Sequence, residues 1–321
     1  MKSTLYTTAL ILSLIANSSC IRRSLTDYVC QRETATIPVT VDWTQSGITP
    51  SDDSRTETDY VHRVSLRFFP LDGSTPFDRY LETNIYEGEI TLPEGSYSIV
   101  AFNESIYDTY WNGYINFINT EDYDTFAVEL VDEEGDGVAT SPLKLASWSL
   151  GEYTITEDMI STTKAATPIE VTLQPLTCYT TVTAQITNLS SAQTVTATAS
   201  GLTDRMYMAS GEAHTSTTSH SLALSTVEWD DDSEQHGSIS ARILTFDNST
   251  DTNATYTLEF DVILVDGTRH TPDEPLIFDV SHQITRYATD DFSLSAEFEI
   301  PETSGSIEVD EWGDKTTINL F

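Results

Sequence analysis

The sequence predicts an all-β chain folded as two tandem antiparallel β-sandwich domains. Three observations carry that reading. Nearly every apolar stretch alternates with a period of two, turn signals containing Gly or Pro separate the stretches, and a small polar segment, Ser161 to Pro168, divides the pattern into halves. At 321 residues the chain has room for two ordinary domains, each with its own core.

The first element reads as an export signal. Lys2 supplies a positive start, Leu5 to Ala16 an apolar stretch, and Ser18 and Ser19 small residues before a cut. The apolar stretch is too short to span a bilayer, which takes about 20 apolar residues. Cys20 follows directly, as lipoprotein processing requires: the thiol is diacylated before cleavage leaves it as the new N-terminus. Asn17 stands three residues before Cys20, where Leu is usual, so the competing reading is an ordinary secretory signal with an incidental cysteine. The expected layout is a signal over residues 1–19, a lipidated tether over 20–32, an N-terminal sandwich over 33–165 and a C-terminal sandwich over 166–321. Arg22, Arg23 and Arg32 of the tether can lie against anionic headgroups.

The strands follow in order. Ile37, Val39, Val41 and Trp43 share one face, with Thr36, Thr40 and Asp42 opposite; Val64, Leu66 and Phe68 repeat the pattern, as do Phe126, Val128 and Leu130. Asp72-Gly73 closes one strand, and Pro93-Glu94-Gly95 joins Glu89 to Leu92 onto a strand from Tyr97 to Phe102. The one helical turn opens with the capping-box spacing of Thr154 and Glu157 and runs to Ile160. Past residue 165 the alternation resumes in Ile169, Val171 and Leu173, then Val182, Ala184 and Ile186, then Val195, Ala197 and Ala199. It continues in Leu258 to Leu264, the Asp266-Gly267 turn, Leu276 to Val280, and the longest clean run, Phe292 to Ile300. Thr316 to Leu320 reads as a last strand.

Charge narrows the partners. There are 51 acidic residues against 15 basic ones, a formal net charge of −36, and such a field repels nucleic acid and bare anionic membrane. With 39% hydrophobic residues the chain still folds, so the acids belong to a solvated surface. With Cys20 acylated, Cys30 and Cys178 form the one available pair in an oxidising compartment; the alternative is a buried thiol at Cys178.

No residue constellation announces an enzyme, a metal or a cofactor. Asp132, Glu134, Asp136 and Gly137 fall at the first, third, fifth and sixth positions of a calcium-loop template, but Leu143 stands where a bidentate Glu is needed, and an acidic hairpin tip is the better reading. Asp230, Asp231, Asp232 and Glu234 read as a solvated loop after Trp229. His62, His214, His220, His236, His270 and His282 show no ligand spacing. There is no GxSxG elbow, and Ser161 to Lys164 matches SxxK only within the linker. The notable local feature is aromatic. Tyr110, Trp111 and Tyr114, near Tyr107 and Phe117, can form a stacking platform for sugar rings, against the commoner outcome of a buried Trp with a partly exposed Tyr edge.

Several stretches together carry a family resemblance: Arg22-Arg23 just past the cysteine, Val39 to Trp43 (VTVDW), Val64 to Gly73 (VSLRFFPLDG), Leu92 to Tyr97 (LPEGSY) running on to Phe102-Asn103-Glu104, Phe117 to Asp122 (FINTED), Leu173 to Cys178 (LQPLTC), Phe278 to Val280 (FDV) and Val309 to Gly313 (VDEWG). The chain resembles the Bacteroidales lipoproteins that are similar to anchor subunits of type V fimbriae, the minor-fimbria anchor and fimbrillin-like group. The resemblance implies two transthyretin-like, Greek-key sandwiches, a lipid anchor in the outer membrane, surface-exposed or within a fimbrium, and a pilin subunit as partner, joined by β-strand addition. It implies no enzyme activity. The end of the chain soon after Leu320 suits an anchor or cap better than a stalk subunit. The rival expectation is a surface glycan-binding lipoprotein using Tyr110, Trp111 and Tyr114.

Overall fold

The computed structural model describes residues 33–50, 61, 63–104, 114–132, 137–161, 165–214, 217–230, 235–246, 255–270, 276–283, 291–302, 306–311 and 314–319. The chain is almost entirely β, arranged in several mainly antiparallel sheets.

The first strand, β1 (Thr34–Asp42), shows why the alternation was readable: its burial alternates at every position, with Ala35, Ile37, Val39 and Val41 inside. It lies between β4 (Glu87–Pro93), antiparallel, and β9 (Ile169–Thr172), parallel. Facing this sheet is a second of five strands, in the order β10 (Gln174–Pro175), β8 (Ala146–Ile155), β5 (Gly95–Glu104), β2 (Arg63–Pro70) and β3 (Phe77–Leu81). Between them lies one core, in which Ile37, Leu92 and Val171 meet Leu66, Phe68 and Ile99.

Two expectations change here. Ile169, Val171 and Leu173, read as the start of the C-terminal sandwich, belong to the first core, because β9 pairs with β1. A parallel pair is joined only through a long crossover, and alternation says nothing about which strand lies alongside. Pro93-Glu94-Gly95 joins its two strands as the sequence indicates, and does so as a corner: β4 pairs with β1 and β5 with β2 and β8, so the turn carries the chain from one sheet to the other. The capping box does not form. Thr154 lies within β8, its Oγ1 2.7 Å from Ser96 Oγ, and the short helix α1 (Glu157–Ile160) is preceded by Thr156, which makes no side-chain cap.

The second sandwich repeats the plan. One sheet has the order β15 (Thr226–Trp229), β16 (His236–Phe246), β11 (Thr177–Thr187), β19 (Phe292–Glu299), and the other β14 (Thr217–Leu224), β12 (Ala192–Thr203), β17 (Thr257–Leu264), β18 (Leu276–Asp279). With β10 and β15 set aside, the two strand orders correspond one for one. The first strand of each unit pairs in parallel with the last, β1 with β9 and β11 with β19, and a long return brings β4 beside β1 and β16 beside β11, the Greek-key device. Val182, Ala197, Leu258, Phe260 and Leu294 fill the second core. In β12, Gly201 (φ 89°) forms a bulge where an added Cβ would lie 2.1 Å from the Thr255 carbonyl oxygen.

A small third sheet, β13 (Arg205–Tyr207), β7 (Ala127–Leu130) and β6 (Ile115–Ile118), lies over the outer face of the five-stranded sheet. Its cluster joins Phe69, Val100 and Phe102 of β2 and β5 to Phe126, Val128, Met206, Met208 and Phe246. Because β13 and Phe246 come from the second half of the sequence, this cluster ties the two halves together. Near the C-terminus, β20 (Ser306–Glu311) and β21 (Asp314–Asn319) form an antiparallel hairpin.

Candidate functional site

A sandwich presents to a partner the unpaired N–H and C=O groups of its edge strands. Several edges here are short or covered. Gln283 caps β19 as a strand would: its side-chain N–H donates to the Ser295 carbonyl (2.7 Å) and its side-chain oxygen accepts from the Ser295 N–H (2.7 Å). The first half of β14 is met by residues 137–139, with Ala139 N–H donating to Ser219 C=O at 2.8 Å and Ser219 N–H to Gly137 C=O at 3.1 Å. Arg79 of β3 reaches across to β4, its Nε donating to the Thr91 carbonyl at 3.0 Å.

The edge of β8 differs. This ten-residue strand pairs with β5 along one side, but on the other only Ala146 and Ser147 meet β10. From Trp148 to Ile155 the outer edge has no strand partner among the described residues. Trp148, Leu150, Tyr153 and Ile155 hold the strand down on the first core, and the Tyr153 hydroxyl donates to the Thr167 carbonyl. Burial pushes the Tyr153 phenol above its ordinary pKa, so it stays a neutral donor at physiological pH. Gly151, midway along, faces open space: an added Cβ would meet nothing within 4 Å.

The residues singled out in the sequence scatter. Cys20, Cys30, Tyr110 and Trp111 lie outside the described residues. Tyr114 is half-buried and packs against the third cluster, and its carbonyl accepts from Val131 N–H at 3.1 Å. Its ring is therefore spent partly on the core. Cys178 is buried on β11, its Sγ 3.8 Å from both Thr245 Oγ1 and the Phe246 carbonyl oxygen. In the acidic loop, Asp132 accepts the Gly137 N–H at 2.8 Å, while Glu134 and Asp136 lie outside the described residues. Among the described residues no group of three or more His, Cys, Asp or Glu side chains is placed to hold a metal, and no helix is long and apolar enough to cross a membrane. His220 is the one perturbed histidine among them: it is 2% exposed on β14, and burial lowers its pKa to about 4 against a weaker opposing hydrogen bond to the Ala139 backbone.

Sequence reading missed the β8 edge, since a period of two gives the face of each residue but not the neighbour of each strand.

No curated protein matches the sequence. Among solved structures, a candidate adhesin from Bacteroides ovatus ATCC 8483 superimposes with a TM-score of 0.59 at 19% identity, over 88% of this chain and 97% of that one. A candidate adhesin from Bacteroides thetaiotaomicron VPI-5482 gives 0.52 at 10% identity, over 89% and 98%. The fimbrial anchor protein Mfa2 from Porphyromonas gingivalis gives 0.49 at 14% identity, over 89% and 95%. At these identities the two higher-scoring likenesses establish the shared β-sandwich fold. A family model matches residues 19–223, from just before Cys20 to within β14 and thus more than half of the sequence: the chain belongs to the family described as a domain of unknown function, DUF5119.

Proposed function

We infer that the protein is a non-enzymatic, lipid-anchored outer-membrane protein of the fimbrial or adhesive class, tethered through Cys20 and binding a fimbrial subunit by strand addition. The observation that carries this reading is the open edge of β8 from Trp148 to Ile155, long enough to take a strand from another chain and fixed in place by a core on one side and β5 on the other. An incoming strand would satisfy the unpaired backbone groups of that edge, and a preformed edge lowers the ordering cost of binding. The fold shared with candidate adhesins and the family resemblance of the sequence support the same class. A net charge of −36 makes a nucleic acid partner unfavourable.

The test is a pull-down of the tagged full-length protein from outer membranes, run on a gel without boiling and analysed by mass spectrometry. The expected result is a β-rich secreted subunit co-purifying in an SDS-resistant ladder. Cys20→Ala should release the protein to the medium. Gly151→Lys, which puts a charge on the open edge without a clash, should keep the protein in the membrane but lose the subunit. Recovery of a lone lipoprotein would overturn the anchor reading, and a ladder indifferent to Gly151→Lys would move the accepting edge elsewhere.

A further inference from the structure

Among the described residues, the second sandwich is open at one end. The chain leaves β14 at Leu224 and enters β15 at Thr226, so the sheet of β14 and β12 stops where β15 begins. Val227 and Trp229 pair with Ile239 and Gly237 of β16. Ile239 is buried in the core, yet Val227 and Trp229, on the same face of the sheet, are 42% and 41% exposed, because no strand among the described residues lies opposite them. They border a cavity of about 530 Å³.

The cavity is built from two kinds of residue. Leu189, Val195, Leu224 and Ile239 are its buried apolar lining; Ser190, Gln193, Thr194 and Ser225 are exposed along it. Among the described residues, none of these four polar side chains makes a hydrogen bond. The indole of Trp229 lies close to Gly237: a Cβ there would come within 2.6 Å of the Glu228 carbonyl oxygen, 3.0 Å of Trp229 Cε3 and 3.3 Å of Leu189 Cδ2. Glycine at 237 thus allows the β15 backbone and the Trp229 ring to come close to β16. Packing of an aromatic over a strand glycine stabilises a hairpin by itself, but it requires neither the cavity nor the row of unengaged hydroxyl and amide groups.

Charge decides the ligand class. None of the twelve lining residues is ionisable as Asp, Glu, Lys, Arg or His, in a chain with 51 acidic residues. Within this lining an ionic ligand would find no counter-charge, and an anionic one would also meet the field of the whole protein. A purely apolar ligand would strip water from Ser190, Gln193, Thr194 and Ser225 without replacing it. A neutral sugar suits all three features: its C–H face packs on an indole, its hydroxyls both donate and accept to Ser, Thr and Gln, and the volume falls within the range of about 300 to 1,000 Å³ usual for small-ligand sites. We propose that the cleft between β12, β14 and β15, with Trp229 as stacking surface and Gln193 as principal polar contact, is a binding site for neutral carbohydrate. This inference does not rest on the anchor reading, since the β8 edge belongs to the first sandwich and the cleft to the second.

The experiment is a glycan array probed with the full-length chain, carrying neutral α- and β-glucans, mannans and galactans beside sialylated and sulfated glycans, with calorimetric titration of whatever is retained. The expected result is retention of a neutral class. Affinity should fall at least about tenfold in Trp229→Ala and in Gln193→Ala, less in Trp229→Phe, and not at all in Trp111→Ala. Gly237→Ala, which pushes the Glu228 backbone of β15 and the Trp229 ring away from β16, should weaken binding as well. Trp229→Phe and Gln193→Ala keep the test decisive if Trp229→Ala fails to fold. Retention of charged glycans only, of none, or of a neutral glycan bound equally by the Trp229 and Gln193 variants would overturn the proposal, as would displacement of the bound sugar in Trp111→Ala alone.

Discussion

The two sandwiches follow one strand order, yet the sheet built on β2 and β5 is buried on both faces while its counterpart, built on β12 and β17, is buried on one. Seven consecutive residues of β5, Tyr97 to Asn103, are inside. In β17, Leu258, Phe260, Val262 and Leu264 are buried, and Glu259, Asp261 and Ile263 are not. The difference arises in one connection. Between β5 and β8 the first unit inserts β6 and β7, which recruit β13 and cover the sheet; the second passes from β17 to β18 with no such strands among the described residues. The lesson is that topology is set by the inner faces, whereas what covers an outer face is set by insertions that leave the strand order untouched.

The largest expected effect lies in the covering layer. Phe126, 1% exposed, touches Phe69, Phe102 and Phe117 with ring centroids 5.7, 6.1 and 5.8 Å away. Phe126→Ala should cost about 3 to 5 kcal/mol in urea unfolding, whereas Thr198→Ala on the uncovered outer face of β12 should stay within about 0.5 kcal/mol. Equal losses would show that the outer faces are not different after all.

A second expected effect belongs to the second unit. His220 Nε2 has no hydrogen-bond partner among the described residues, and the folded pKa of about 4 lies below the ordinary 6.5. Below pH 6.5 the unfolded chain takes up the proton and the folded one resists it. Stability is therefore complete above pH 6.5 and falls as the pH drops toward 4, by about 3 kcal/mol from this residue. The difference in unfolding free energy between the native protein and His220→Phe should change with pH by that amount. A difference independent of pH would mean that His220 titrates normally and that the second core is wetter than its packing shows.

Smaller effects separate the covered and uncovered arginines. Arg67, beneath β6 and β7, donates twice to Asp78 (3.0 and 2.9 Å) and twice to the Thr120 carbonyl (2.9 and 2.8 Å), with its guanidinium 5.6 Å from the Phe126 ring centre. Arg67→Ala should cost about 2 to 3 kcal/mol by leaving a half-buried carboxylate and a carbonyl unmatched. Arg269, paired with Asp261 on the uncovered sheet, is exposed, and Arg269→Ala should change stability by no more than about 0.5 kcal/mol. Comparable losses would contradict the contrast in cover between the two sheets.

Some of this was legible and some was not. β1, β17 and β19 announced themselves through strict alternation, since each has one wet and one dry face. β16 did not: its burial runs in blocks, and Gly237, Ser238 and Ser240 give no apolar stripe. β15 carries no alternation to read: its four residues are all exposed, although Trp229 and Val227 point toward a core that ends too early. The aromatic stretch around Tyr114 drew attention by composition, but composition does not distinguish a ring packed on a core from one offered to a ligand.

By itself the sequence determined the all-β class, the faces of the long strands and the acidic net charge. Those properties are local: a period of two and a charge sum are read residue by residue. The tertiary structure alone decided that β9 returns to β1, that the edge of β8 has no strand partner among the described residues and that the second core ends in a cleft. Each depends on which distant strand comes to lie alongside, a choice made by long-range pairing and loop closure that no residue encodes alone.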